Sequence, residues 1–179
     1  APDAPLGIAR EIDEDQLLAE VESGDMVIGR VNAPLVSLAL SLIGRGHKAM
    51  VRGRDVGASL KGLLKTAGGA SVDETIVRLK RLEQVELLKL EDRGASPLQI
   101  QATGDKFETM RAILMRCETL SDAARVTEQI AQESGGGVIF STLHRAKGLE
   151  AERVFFLHPE DIPHPMAKRK DEIEQEMNA

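Results

Sequence analysis

The stretch S-T-L-H-R-A-K-G-L-E combines more chemically capable side chains than a simple connector needs. Thr142 and His144 can donate hydrogen bonds to phosphate oxygens, and the ammonium group of Lys147 adds positive charge. Gly148 has no Cβ, so a ligand could approach its backbone closely, and Glu150 ends the stretch with a carboxylate. The polar stretch is therefore where chemistry would lie. The alternative is a polar turn in which the glycine occupies a positive-φ position.

Two short apolar runs, Val138–Phe140 and Val154–Leu157, flank this polar stretch. Their lengths and their β-branched and aromatic residues predict two buried strands. The polar stretch would then leave the carboxyl end of a strand, which is the usual position of a ligand crevice in parallel α/β sheets. We therefore expect its side chains at the open edge of a parallel sheet.

A second group of residues that could bind a ligand follows another buried-strand pattern, Met26–Arg30. Arg30 can pair with a phosphate or stack on a base, and Asn32 can hydrogen-bond a base edge or a sugar. Both residues also have ordinary interpretations. Arg30 could be a surface residue at the end of a strand, and Asn32 could be the N-cap of a helix that starts near Pro34.

The run T-L-H-R-A-K-G-L-E, followed by a hydrophobic strand, resembles motif V of the UvrD/Rep-type superfamily 1 DNA helicases over nine consecutive positions. The sequence Gly29-Arg30-Val31-Asn32 resembles the R-x-N step that follows the first full strand of the second motor domain in the same family. The order and spacing of the two motifs also agree with the family.

This resemblance implies the second RecA-like motor domain of an ATP-dependent DNA helicase that translocates 3′ to 5′. The residues implied to contact single-stranded DNA are Thr142, His144 and Lys147, with Arg30 and Asn32 as weaker contacts. The residues implied to reach the bound nucleotide are Gly148 and Glu150. The full-length protein would use ATP and Mg²⁺, and its partners would be single-stranded DNA and the N-terminal motor domain of the same polypeptide.

An ATP-driven motor also needs groups that this sequence lacks. It contains no G-x-x-x-x-G-K-[ST] phosphate-binding motif and no acidic Walker B strand, so we expect the first motor domain to be absent. The chain is then an excised piece of a larger helicase, with no catalytic residue of its own. By itself it is expected to bind no cofactor and to hydrolyse no ATP. The alternative is a non-enzymatic, helicase-like module whose charged helices bind another protein.

The elements that position both groups follow from the spacing of apolar residues. Helical spacing predicts helices over residues 14–22, 35–43, 56–67 and 167–177, and a strand is predicted over residues 48–52. A strand, a helix and a second strand in succession form a βαβ unit of a parallel sheet. The predicted fold is therefore α/β, with a RecA-like parallel sheet, flanking helices and a small all-helical insertion.

The predicted insertion covers residues 70–134. It follows a composition break at Gly68-Gly69-Ala70-Ser71, and Ser121 is expected to cap its last helix. Residues 1–69 would form the first half of the motor domain, and residues 135–179 its second half, truncated at the C-terminal end. UvrD-like helicases insert a larger accessory domain at this point, so the duplex-engaging roles of that domain are not transferred to this chain.

The composition limits the remaining possibilities. A net charge of −6 argues against a uniformly basic surface but leaves a local DNA-binding groove open. The single cysteine, Cys117, excludes a disulfide within the chain. Because Trp and Tyr are absent, base stacking is left to phenylalanine or arginine.

Neither a metal site nor a membrane partner is expected. His158 and His164 lie in a proline-rich stretch whose spacing fits no recognised ligand pattern. No apolar run approaches the length of a membrane span, and the first residues lack the features of a signal peptide. We therefore expect a cytoplasmic protein.

Overall fold

The computed structural model describes residues 8–52, 54–131 and 136–161. The strands within these ranges are β1 (Met26–Gly29), β2 (Ala49–Val51), β3 (Val138–Thr142) and β4 (Val154–Leu157). They form one sheet in the order β2-β3-β1-β4, and every neighbouring pair is parallel. The predicted α/β class with a parallel sheet is confirmed, whereas the RecA-like identity of the sheet stays a prediction.

Seven helices and a 3-10 turn accompany the sheet in the described ranges. They are α1 (Glu14–Glu20), α2 (Asn32–Gly44), α3 (Arg54–Ala67), α4 (Val72–Asp92), α5 (Pro97–Leu114), α6 (Leu120–Ala131), the four-residue α7 (Leu143–Ala146) and the 3-10 turn Pro159–Asp161. None of these helices combines the length and the apolar character that crossing a bilayer requires. The predicted helix at 167–177 and the residue His164 lie outside the described residues.

The strand register aligns the carboxyl ends of three strands. Gly29, the last residue of β1, pairs with Thr142 on one side and with Leu157 on the other. Both partners are the last residues of their strands. The chain therefore leaves β1, β3 and β4 at the same level, and the segments that follow them share one edge of the sheet, which we call the carboxyl rim.

The hydrophobic core lies between the sheet and α2. Val27, Phe140 and Val51 are neighbours across three strands and are buried together. Helix α2 packs on β1, β2 and β3 with one side and on α5 with the other. This position explains why its sequence is apolar almost all round, with buried residues Ala33, Leu35, Val36, Leu38, Ala39 and Leu42.

Helices α4, α5 and α6 fill the region predicted as an all-helical insertion. Their buried residues Leu79, Phe107, Met110 and Ile130 belong to the same hydrophobic cluster as the sheet residues. Burying such a side chain stabilises the fold by about 1.5–3 kcal/mol. The three helices therefore gain stability from packing on the α/β unit. The division of the chain into two motor-domain halves and an insertion stays a prediction.

Strand β4 differs from the buried strand that its sequence predicts. It is an edge strand, paired only with β1 in the described ranges, and Val154 and Phe156 are 52% and 37% exposed. Its apolar run is as hydrophobic as that of β3, but as an edge strand it has a neighbouring strand on one side only. Composition alone could not distinguish the two strands.

Two local predictions are also corrected. Ser121 does not cap α6, because the Oγ1 of Thr119, two residues earlier, accepts the hydrogen bond from the backbone N–H of Asp122 (3.0 Å). The stretch after Phe140 is not simply a polar turn. Strand β3 continues to Thr142, and the following residues form the helical turn α7.

Gly137 allows the chain to enter β3 beside β2. Its φ of +116° lies in a region that residues with a side chain rarely adopt, and a Cβ at this position would overlap the Lys48 carbonyl group. That same carbonyl oxygen accepts a hydrogen bond from the backbone N–H of Val138 (2.9 Å). The close approach starts the β2–β3 pairing, which places Arg52 next to β3.

An ion pair closes the opposite, amino-terminal edge of the sheet. The buried Asp25 carboxylate accepts hydrogen bonds from the Arg153 Nε (2.9 Å) and Nη2 (2.6 Å) and from the backbone N–H of Glu22 (2.7 Å). The hydrogen bonds that Arg153 donates to Asp25 raise the pKa of Arg153. Since Asp25 precedes β1 and Arg153 precedes β4, this pair fixes the start of the edge strand.

Candidate functional site

The carboxyl rim brings the two chemically capable groups together. Arg30 follows β1 directly, and Thr142 is the last residue of β3, the neighbouring strand. Arg52 follows β2, and its backbone N–H donates to the Phe140 carbonyl (2.7 Å), so it continues alongside β3. The loops expected to act together therefore begin at adjacent positions on one edge.

The first group is presented by the short helix α7. Thr142 occupies the N-cap position of this helix, but its side chain makes no capping hydrogen bond. His144 and Lys147 are exposed to solvent. The Nη1 of Arg145 donates to the Arg52 carbonyl (3.4 Å), which links α7 to the end of β2. The rim therefore displays an imidazole and an ammonium group on a segment held by two strands.

Gly148 ends this segment in a left-handed conformation. Its φ is +81°, and a Cβ built on it would meet no atom within 4 Å. The glycine is therefore favoured by the backbone conformation and not by crowding. The open space beside it is compatible both with the approach of a ligand and with a plain turn. Glu150, two residues later, is exposed.

Arg30, in the second group, is buried. It is only 8% exposed, in contrast to the surface arginine that a strand end usually carries. Its Nη2 lies 3.5 Å from the Oε1 of Gln101 on α5. The guanidinium group therefore turns towards the helical region.

Asn32 is held by an aspartate that the sequence does not indicate. The N-cap of α2 is Val31 and not Asn32, and the capping acceptor comes from α5. The Asp105 Oδ1 accepts from the backbone N–H of Ala33 (2.9 Å), and its Oδ2 accepts from the Asn32 Nδ2 (2.7 Å). The expected N-cap role of Asn32 is therefore wrong, because a carboxylate from another helix occupies the N-terminus of α2.

The other end of the Asn32 amide has no partner among the described residues. Its Oδ1 is enclosed and accepts no hydrogen bond there. Buried polar atoms in folded proteins are nearly always hydrogen-bonded, and an unsatisfied one costs about 1–3 kcal/mol. The oxygen is therefore a position at which a donor from outside this part of the chain would be favourable.

A cleft of about 440 Å³ lies beside the first turn of α2. Its lining residues are Val31, Ala33, Pro34, Ser37, Glu108, Ala112 and His158. His158 has a φ of +54°, an uncommon value for a residue with a side chain, and its Nδ1 lies 3.1 Å from the Glu160 Oε1. A hydrogen bond from its own backbone N–H, followed by the one from His158, lowers the pKa of Glu160.

The cleft was not predicted, because it depends on how α5 packs against α2.

The described residues contain no group of three or more His, Cys, Asp or Glu side chains that could hold a metal ion. The rim offers a ligand the imidazole of His144 and the ammonium group of Lys147, together with the carboxylate of Glu150. The first two groups suit contacts with phosphate oxygens.

Comparisons with protein-family models, with curated proteins and with solved structures found no match. Asp105 and Gln101 are the residues that sequence reasoning missed. They lie four positions apart on one face of α5 and contact Asn32 and Arg30 respectively.

Proposed function

We propose that the chain is the second RecA-like motor domain of a UvrD/Rep-type, ATP-dependent DNA helicase, to which it contributes single-stranded DNA contacts and one side of the ATP site. One observation carries this proposal. The two segments that resemble helicase motifs, which are more than one hundred residues apart in the sequence, leave neighbouring parallel strands at the same level, because Gly29 pairs with Thr142. Such a rim is the usual ligand-binding edge of an α/β sheet.

The DNA-binding part of the proposal rests on exposure and charge. His144 and Lys147 are exposed on the rim and can reach phosphate oxygens, while Thr142 has a hydroxyl that no cap interaction uses. Arg30 and Asn32 are proposed as the weaker contacts, since α5 already engages both. A single strand bound here would run along the rim from α7 towards the start of α2.

The nucleotide part of the proposal assigns Gly148 and Glu150 to one wall of the ATP site. The open space beside Gly148 fits the close approach of a ligand, and the exposed Glu150 carboxylate can accept hydrogen bonds from ribose hydroxyls. The triphosphate and Mg²⁺ would be bound by the N-terminal motor domain of the same polypeptide, which is the proposed protein partner. The parent helicase would act in the cytoplasm.

A titration of labelled single-stranded DNA tests this function. We expect weak binding by the 179-residue chain that falls steeply as salt is raised, because phosphate contacts release counterions. The His144→Ala, Lys147→Ala double variant should bind several-fold more weakly and show a salt slope that is shallower by about one. A matched control is His47→Ala, Lys65→Ala, which removes the same two residue types from exposed positions elsewhere. Equal loss in both double variants would contradict the proposal.

The second candidate is a non-enzymatic module that binds another protein. It is favoured by apolar side chains on α4 and at the start of α5, where Val85, Leu88 and Leu98 are exposed. Exposed apolar residues grouped on one structural unit are typical of protein-interaction surfaces. This candidate predicts no salt-dependent DNA binding in the titration. It also predicts that the two double variants behave like the unmodified chain.

A further inference from the structure

We propose that Asp105 is a positioning residue that fixes Asn32 as a hydrogen-bond acceptor, so that Asn32 contacts a donor group of a DNA base and not a phosphate. The ligand in this inference rests on the proposed DNA-binding function. The orientation of the amide rests only on the contacts between α5 and α2.

The chemistry of the two side chains fixes the direction of the hydrogen bond between Asn32 and Asp105. An ionised carboxylate has acceptors only, whereas a carboxamide has an NH₂ donor at one end and an oxygen acceptor at the other. The Asp105 Oδ2 lies 2.7 Å from the Asn32 Nδ2, and the Asp105 Oδ1 is occupied by the backbone N–H of Ala33. The NH₂ group of Asn32 must therefore face Asp105, because turning the amide would bring two oxygens together.

One N–H of the Asn32 NH₂ group donates to Asp105. The buried side-chain atom of Asn32 that has no partner among the described residues is Oδ1. Asn32 as a whole is half-buried and lies three residues after the last residue of β1, at the carboxyl rim. A ligand donor that reaches Oδ1 would remove the cost of an unsatisfied buried acceptor. This unpaired oxygen is the observation that points to a ligand.

The unpaired oxygen and the carboxylate beside it select the chemistry of the ligand. Phosphate oxygens are acceptors, and they would be repelled both by Oδ1 and by the nearby Asp105 carboxylate. The N–H groups of nucleobases are donors, and they are the groups of DNA that an amide oxygen can bind. The two polar residues of the R-x-N step would then have different roles. Arg30 supplies the positive charge and Asn32 supplies the contact with a base.

Binding of a normal and an abasic oligonucleotide of equal length tests this assignment. The unmodified chain should bind the base-bearing oligonucleotide more tightly. In Asp105→Asn the new amide still caps Ala33, but its NH₂ group faces the NH₂ group of Asn32, so the Asn32 amide turns round. The base preference is the ratio of the affinity for the base-bearing oligonucleotide to the affinity for the abasic one. This ratio should then fall by about two- to tenfold, which corresponds to the loss of one neutral hydrogen bond. The affinity for the abasic strand should stay equal or rise, because a negative charge is lost.

Two further variants distinguish the positioning of Asn32 from an effect of the lost negative charge and from an effect of lost stability. Glu118→Gln removes one negative charge from an exposed position four residues after the end of the same helix and should leave the base preference unchanged. The exchange variant Asn32→Asp, Asp105→Asn restores the hydrogen bond with donor and acceptor exchanged, and it keeps an oxygen acceptor at position 32. It should recover both the melting temperature and the base preference that the single variant loses.

The inference fails if Asp105→Asn and Glu118→Gln change the affinities for both oligonucleotides equally. It also fails if the exchange variant regains stability without regaining the base preference. Hydrogen exchange of the Asn32 side-chain amide gives a readout without DNA, and it should be slow in the unmodified chain and fast in Asp105→Ala. If the unmodified chain binds neither oligonucleotide, the proposed function is wrong, and slow exchange would still support the orientation of the amide. If the amide exchanges fast in the unmodified chain, the positioning role is wrong whatever the DNA result.

Discussion

The Oδ2 of Asp105 accepts a hydrogen bond from the Nδ2 of Asn32, which is 73 residues away in the chain, at a distance of 2.7 Å. This contact joins the helical region to the first turn of α2. Gln101, one turn earlier on α5, contacts the neighbouring Arg30. Two of the residues proposed to contact DNA are therefore positioned by one face of α5, and the helical region takes part in shaping the carboxyl rim.

Asp105→Ala should destabilise the protein by about 1–3 kcal/mol, because it removes the cap of α2 and leaves the Asn32 NH₂ group unpaired. Urea unfolding monitored by circular dichroism measures the effect. Glu108→Ala removes an exposed carboxylate from the same helix and should change stability by less than about 0.5 kcal/mol. Similar values for the two variants would show that the contact contributes little to folding.

Gly137→Ala should be much more destabilising than Gly148→Ala. Both glycines have positive φ values, but only Gly137 has no space for a Cβ, which would overlap the Lys48 carbonyl group. We expect a loss of about 1–2 kcal/mol for Gly148→Ala from the backbone conformation alone. For Gly137→Ala we expect at least about 1–3 kcal/mol more, because β2 and β3 must separate. Equal melting temperatures for the two variants would contradict the close β2–β3 approach.

His158→Gly should be more stable than His158→Ala. The φ of His158 is +54°, which glycine adopts freely, whereas alanine retains a penalty of about 1–2 kcal/mol. Both variants lose the imidazole and its contact with Glu160 equally. The comparison of their melting temperatures therefore isolates the backbone conformation, and a less stable glycine variant would contradict a left-handed residue at this position.

The start of α4 should lose stability in acid. A hydrogen bond from the Ala70 N–H, together with the charge of Arg78, lowers the pKa of Glu74 below its ordinary value of 4.5. The ionised carboxylate therefore stabilises the folded state above pH 4.5, and this contribution is lost as the pH falls through the lower folded-state value. Glu74→Gln should be less stable than the unmodified chain at neutral pH and equally stable at low pH. A difference that persists at low pH would point to another cause.

The parts of the fold that could be predicted depend on local patterns. The strands β1 and β3 are apolar runs between turn residues, and α2 has apolar residues at helical spacing, so their types follow from neighbouring residues alone. The exposure of β4 could not be predicted in this way, because it depends on which strand forms the edge. The helix α7 has only four residues, too few for a helical pattern to be visible in the sequence.

Only part of the candidate site could be predicted from the sequence. The rim residues from Thr142 to Glu150 are contiguous, so their combined chemistry is visible in the sequence. The role of Asp105 is not visible, since an aspartate within a helix is ordinary and its two hydrogen bonds reach residues more than 70 positions away. Only the packing of α5 against α2 brings these groups together.

Single-stranded DNA is proposed to bind along the carboxyl rim. Nuclear magnetic resonance spectra of the isotope-labelled chain, recorded while an unlabelled oligonucleotide is added at low salt, test it most directly. We predict that the shifted backbone amides lie mainly in residues 142–148, with smaller changes at 30–33, and that the shifts disappear at high salt. Shifts confined to the amino-terminal edge around Asp25 and Arg153, or the absence of any shift at saturating oligonucleotide, would contradict the account.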